Sequence, residues 1–160
     1  MMTVSSATLL ACALALALTT RPASAGDAGA PAAAAPAKID WASLTFAQKK
    51  KYMKTKVLPE MKKAFIAFDA KEFKNMSCGT CHGDGADDGK FKMPNPKLPR
   101  LPKPTAQSDF LELQKKKPEA IKFMGTVVKP KMAELLGLPE WSPAVKTGFG
   151  CYRCHAKEGE

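Results

Sequence analysis

The chain has 160 residues and a formal net charge of +10, with 25 lysines and arginines, 15 aspartates and glutamates, five cysteines and two histidines. This length predicts one small domain, and no apolar stretch is long enough to span a bilayer, so we expect a soluble mature protein. The basic charge fits either an acidic partner or anionic surface, or lysines that simply keep the protein in solution. Nothing in the sequence indicates binding to nucleic acid.

The N-terminus has the pattern of an export signal. Residues 8–19 are apolar but too short to cross a membrane, and Ala23, Ser24 and Ala25 form a small-residue cleavage site before Gly26. We therefore expect residues 1–25 to be removed as a signal peptide on export to the periplasm. Cys12 would be discarded with them.

An Ala/Pro/Gly-rich segment follows, over residues 26–38, and has no side chains that could build a core. Such a composition is typical of a linker. The ordered domain is therefore predicted over residues 39–160.

Helical patterns follow the linker. Helix formers with spaced apolar residues predict a helix over 45–57, and Pro59 suits the first turn of a second helix carrying Met61, Phe65 and Phe68. The second half predicts three more helices: residues 109–116 capped by Ser108, residues 118–127 opened by Pro118, and residues 130–136 opened by Pro130 and ended by Gly137.

Residues 83–104 connect the two halves and are rich in glycine, aspartate and proline. This composition predicts a loop with extended, polyproline-like character. No segment alternates polar and apolar residues, so the predicted fold is mainly α-helical with little or no sheet.

Two pentapeptides of the form CxxCH carry the chemistry of the chain: Cys78 to His82 (CGTCH) and Cys151 to His155 (CYRCH). Two thiols at this spacing can form thioether bonds to one haem, and the adjacent imidazole can ligate its iron. Each motif should begin a short helix. The sequence thus predicts two covalently bound haem c groups, held by Cys78, Cys81, Cys151 and Cys154, with His82 and His155 as proximal ligands.

Other uses of paired cysteines fit less well. Exported proteins form disulfides, and CxxC pairs also bind zinc. Disulfides would leave the histidine that follows each pair unexplained, so both alternatives rank below haem.

The chain also contains an internal repeat. Residues 52–61 align without gaps on residues 123–132, 71 positions later, and match in aromatic, Met, Thr, Val, Pro and Met positions. The CxxCH motifs follow at almost the same offset. Such self-similarity predicts a duplicated module, here covering about 41–105 and 106–160, each with its own haem site.

The distal iron ligands are less constrained. Both histidines are used by the motifs, and no methionine follows His155, so a distal Met would come from upstream in its own module. Met61 with Met132 is the preferred pair, with Met53 and Met124 as the fallback and Met93 as a further candidate for the first haem. The competing interpretation is that these methionines fill the core.

At the level of Met-bearing helix, turn and CxxCH, residues 52–82 and 123–155 resemble the multihaem cytochrome c subunit of photosynthetic reaction centres and its non-photosynthetic relatives. The closest stretch runs from Met132 through Trp141 to the segment TGFGCYRCH at 147–155. The resemblance implies Met61 and Met132 as axial ligands. The photosynthetic subunit has more haem sites, so donation to a reaction centre is not implied.

These observations predict a dihaem c-type cytochrome that carries single electrons between redox proteins, and not an enzyme. An acidic docking face on the partner would suit the basic charge. The alternative is a gas-binding or enzymatic haem protein, cytochrome c′-like or peroxidase-like, in which one iron lacks its sixth ligand.

Overall fold

The computed structural model describes residues 39–160. The predicted signal peptide (1–25, with Cys12) and the predicted linker (26–38) lie outside the described residues. Within residues 39–160 the chain forms helices and loops, with isolated β-bridges but no sheet. This confirms the predicted mainly helical fold. No helix in that range is long and apolar enough to cross a membrane.

The α-helices of the described part are, in chain order, α1 (Phe46–Tyr52), α2 (Leu58–Phe68), α3 (Ala70–Phe73), α4 (Cys78–His82), α5 (Asp84–Asp87), α6 (Gln107–Lys116), α7 (Pro118–Phe123) and α8 (Lys129–Leu135). A π-helical turn, Met53–Val57, joins α1 to α2, and another, Met124–Val128, joins α7 to α8. The chain therefore contains two uninterrupted helical runs, residues 46–68 and 118–135.

Pro59 and Pro130 lie in the first turn of α2 and of α8, as predicted, but each of these helices continues the one before it through a π turn, which the sequence did not predict. Proline lacks an N–H, and in a regular α-helix its ring collides with the carbonyl four residues earlier. A π turn precedes each proline. In the first run the Leu58 N–H donates to the Met53 carbonyl, five residues earlier. In the second run the Lys129 N–H donates to the Met124 carbonyl in the same way. The wider turn lets the helix continue.

A threonine at the same position of the repeat supports each π turn. The Thr55 hydroxyl donates to the Lys51 carbonyl at 2.9 Å, and the Thr126 hydroxyl donates to the Lys122 carbonyl at 2.8 Å. Each of these positions lies 71 residues from its counterpart. The repeat seen in the sequence thus extends to backbone geometry and to side-chain hydrogen bonding.

The two runs exchange equivalent contacts. α2 packs against the second π turn, and α8 packs against the first. Phe123 stacks on Phe68, with ring centroids 4.2 Å apart, and meets Phe65 edge-on at 5.0 Å. Tyr52, the counterpart of Phe123, donates its hydroxyl to the Leu135 carbonyl at 2.8 Å. This reciprocity is typical of two copies of one unit packed face to face.

The remaining helices depart from prediction at their ends. α6 begins two residues earlier than expected, and the Ser108 hydroxyl bonds to the Asp109 carboxylate within its first turn and does not cap the helix. Pro118 does open α7, as predicted. Gly137 follows Leu136, the residue that caps the second run, and has φ of +64°, a left-handed conformation that glycine adopts without strain.

Candidate functional site

The first CxxCH motif forms the short helix α4, as predicted. Ser77 and Thr80 are bonded reciprocally at its start: the Thr80 N–H donates to the Ser77 carbonyl at 3.1 Å, and the Ser77 N–H donates to the Thr80 hydroxyl at 3.0 Å. This reciprocal pair satisfies two backbone donors that a helix start would otherwise leave open. It fixes the orientation of both cysteines on one turn.

His82 ends α4 beside an aromatic ring. The imidazole meets the Phe91 ring edge-on, with centroids 5.3 Å apart. Its Nδ1 is buried and has no hydrogen-bond partner within residues 39–160. Burial lowers the pKa of His82, with the backbone of Phe91 acting in the opposite direction. The imidazole is therefore held in its neutral, metal-binding form.

The second motif is less regular. Cys151–Arg153 forms a single 3₁₀ turn, where the sequence predicted a short helix, and the His155 N–H donates to the Cys151 carbonyl at 3.0 Å. Gly148, just before the turn, has φ of +100°, and a Cβ there would lie 2.1 Å from the Pro139 carbonyl oxygen.

The His155 ring is oriented by the backbone. Its Nδ1 lies 2.8 Å from the Pro99 carbonyl oxygen. A carbonyl only accepts hydrogen bonds, so Nδ1 carries the proton and Nε2 keeps its lone pair for a metal. Histidines that ligate metals are generally held in this way by a second hydrogen bond.

The loop over residues 83–104 lies along the second motif and contains one short helix, α5, that the sequence did not predict. The Leu101 N–H donates to the Ala156 carbonyl at 3.0 Å, and the Glu158 N–H donates to the Leu101 carbonyl at 2.9 Å. The Tyr152 hydroxyl donates to the Pro102 carbonyl. The loop is therefore part of the site, since it supplies hydrogen-bond partners to the second motif.

Asn95 links the two motifs and is almost completely buried, at 3% exposure. Its side-chain amide donates to the Cys81 carbonyl at 3.0 Å, and its backbone N–H donates to the Cys154 carbonyl at 2.9 Å. Gly83 packs against it so closely that a Cβ would lie 2.9 Å from the Asn95 Oδ1. One residue thus holds the second cysteine of each motif.

The four cysteines of residues 39–160 are all free thiols. Burial raises the pKa of Cys81, with a smaller contribution from Cys78. Burial, then the neighbouring charges of Cys81 and Cys151, raises the pKa of Cys154 to about 12. Both inner thiols stay protonated at neutral pH, which makes them inert towards disulfide exchange. Because the charge of Cys81 affects the pKa of Cys154, the two motifs must lie close together in space.

The candidate methionines lie near these cysteines. Met61 is buried at 4% exposure, and Met132 is half-buried. Both belong to the cluster that includes Cys81 and Cys154, and so do the half-buried Met53 and Met124 of the two π turns, as well as Met76. Met93 is half-buried in the loop, outside that cluster. The choice between the two repeat-related pairs stays a prediction.

The residues present fit a covalent haem at each motif. Each has two free thiols at the required spacing, and the His82 Nδ1 has no protein partner among the described residues. The His155 Nε2 is left available by the bond from its Nδ1. Within residues 39–160, no three His, Cys, Asp or Glu side chains come together as a site for a bare metal ion.

Comparisons of this chain with protein-family models, curated proteins and solved structures gave no match. The resemblance to the reaction-centre cytochrome subunit therefore stays a prediction.

The sequence did not identify Asn95 or Pro99 as site residues. Asn95 stands between two prolines, and a buried role for a lone polar residue in such a segment has no sequence signal. Pro99 acts through its carbonyl. Extended, polyproline-like backbone makes no internal hydrogen bonds, so carbonyls in a proline-rich segment are available to a neighbour. That general rule is the one signal that could have indicated it.

Proposed function

We propose that this protein is a periplasmic dihaem c-type cytochrome that carries single electrons between redox proteins. The observation that carries the proposal is the pairing of the two CxxCH motifs through Asn95. Two chelating motifs separated by most of the domain in sequence lie next to each other. This arrangement suits two redox centres that exchange electrons.

The residues that would hold each haem are those of its CxxCH motif. Cys78 and Cys81 would form the thioethers of the first haem and His82 its proximal ligand. Cys151, Cys154 and His155 would hold the second in the same way. Met61 and Met132 are the proposed distal ligands. Bound there, each haem supplies an iron that gains or loses one electron, and His/Met ligation favours a high potential.

The chain orients and shields these centres. The Pro99 carbonyl fixes the ring and tautomer of His155, and burial keeps His82 neutral. The apolar cluster around Cys81 and Cys154 excludes water, which restricts the reorganisation that accompanies a change in charge.

Ligand-binding spectroscopy tests the proposal against an open-iron protein. Purified from a host that matures c-type cytochromes, the ferrous protein should keep its spectrum under CO, and the ferric form should show the weak far-red band of Met-ligated iron. Reductive titration should show two one-electron steps. Rapid CO binding at either iron would instead support the gas-binding or enzymatic alternative.

A further inference from the structure

The first helical run is unusually basic. Residues 46–68 contain seven lysines and a single acid, Glu60, and none of these lysines forms an ion pair within residues 39–160. We define the basic helix face by the exposed lysines of its first half: Lys50, Lys51, Lys54 and Lys56.

The repeat provides an internal comparison for this charge. The second run, residues 118–135, has three lysines and two acids. Three of the four positions of the basic helix face are uncharged in the second copy: Ile121, Gly125 and Val127. Two lysines of the second run are also paired, Lys129 with Glu140 at 3.1 Å and Lys131 with Glu134 at 3.3 Å. Since the backbone geometry is repeated, the helix does not need these charges in order to fold.

The charges also have a cost. Lys50 and Lys54 are four residues apart, and like charges at this spacing destabilise a helix by about 0.2–0.5 kcal/mol per pair. Their counterparts, Ile121 and Gly125, carry no such repulsion. A contribution to stability therefore does not account for the cluster.

The basic helix face borders the first motif. The Lys50 Nζ lies 5.2 Å from the centroid of the Phe91 ring, and that ring meets His82 edge-on at 5.3 Å. Phe46, which also packs on Phe91, is 57% exposed. An exposed aromatic side chain beside several charges of one sign is the arrangement of a docking surface, with an apolar centre and a polar rim.

We propose that the basic helix face is the docking surface for an acidic redox partner protein, which exchanges electrons with the centre at His82, whereas the equivalent helical run of the second module lacks these charges. This inference rests on the proposed function and adds to it that one class of partner, acidic redox proteins, binds at the first module. Charge complementarity selects the partner, because a surface of one sign steers an oppositely charged protein and accelerates its association.

Polyglutamate is the probe for the acidic partner. Its binding to the holoprotein is measured for wild type, for the double variant Lys50→Glu/Lys54→Glu, and for the control Lys116→Glu/Lys117→Glu. The control makes the same change of net charge at the end of α6. The proposal predicts at least about tenfold weaker binding for the first variant and a much smaller loss for the control. Equal losses would show that net charge alone matters and would overturn it.

Two further measurements keep the test independent of folding and of the haem. Lysine acylation of the wild-type protein, mapped by mass spectrometry, should show polyglutamate protecting Lys50 and Lys54 but not Lys116. Uniform protection would contradict the proposal. Binding to phosphatidylcholine vesicles containing phosphatidylglycerol, without binding to polyglutamate, would identify a lipid surface instead and also overturn it. A protein that lacks the haem Soret band refutes the proposed function, whereas a dihaem protein with no localised binding refutes only this inference.

Discussion

The side-chain amide of Asn95 donates a 3.0 Å hydrogen bond to the carbonyl of Cys81. The same residue reaches Cys154 through its backbone N–H, so a single buried position joins the two motifs. Buried polar groups persist where they are fully bonded, and they then define one arrangement of their neighbours. Asn95 is therefore expected to fix how the two motifs sit against each other.

Asn95→Ala should destabilise the holoprotein by about 1–3 kcal/mol, because it leaves the Cys81 carbonyl without its partner and opens space beside Gly83. The backbone bond to Cys154 would remain. Thermal unfolding measures the loss, and circular dichroism in the Soret region reports any change in how the two haems face each other. Asn75→Ala, at an exposed asparagine, is the matched control and should change neither. An unchanged Soret spectrum in Asn95→Ala would contradict the linking role.

Gly83→Ala should be more harmful than Gly89→Ala. Both glycines have positive φ, +55° and +72°, so both substitutions strain the backbone, by about 1–2 kcal/mol. A Cβ at Gly83 also meets the Asn95 side chain at 2.9 Å, whereas one at Gly89 meets nothing within 4 Å. The difference between the two unfolding free energies reports this contact together with the ψ of −139° at Gly83, which lies outside the left-handed helical region. Equal effects would mean that the Asn95 side chain moves aside at no cost.

Phe123→Ala should cost about 3–5 kcal/mol of stability, since this buried ring joins the two runs through Phe65 and Phe68. Leu111→Ala is a suitable control because Leu111 is 50% exposed, and it should change stability by no more than about 0.5 kcal/mol. Chemical denaturation of the holoprotein provides both values. Similar losses in the two variants would argue against reciprocal packing of the runs.

Met61→Ala and Met132→Ala should each remove the Met–iron signal of one haem and lower its midpoint potential, because loss of the thioether ligand removes stabilisation of the ferrous iron. Met76→Leu is the control, since Met76 is equally buried in the same cluster. Far-red absorption and redox titration measure the effect. If Met53→Ala or Met124→Ala removes the signal instead, the ligands lie in the π turns.

Much of the local structure could be predicted. The helical segments follow from apolar spacing and helix formers, and the CxxCH motifs and the repeat are visible in the sequence alone. The continuity of each helical run was not predictable by the same reasoning, because proline inside a helix normally ends or kinks it. The π turns before Pro59 and Pro130 allow the helix to continue through each proline. These turns depend on hydrogen bonds that no residue pattern specifies.

The residues of the candidate site were also only partly predictable from the sequence. The cysteines and histidines are identified by their spacing, since the chemistry of attachment requires it. Asn95 and Pro99 act through contacts with residues that are distant in the chain, and Pro99 acts only through its carbonyl. Such partners depend on how the loop folds back over the second motif, so tertiary structure was needed to find them.

Counting the attached haems tests the central claim most directly. A pyridine haemochrome assay combined with the intact mass of the exported protein should give two haems per chain and a mass greater than that of the polypeptide by two haem groups. The single variants Cys81→Ala and Cys154→Ala should each perturb attachment at their own motif alone. A colourless protein, or one whose mass equals that of the bare polypeptide, would contradict the account.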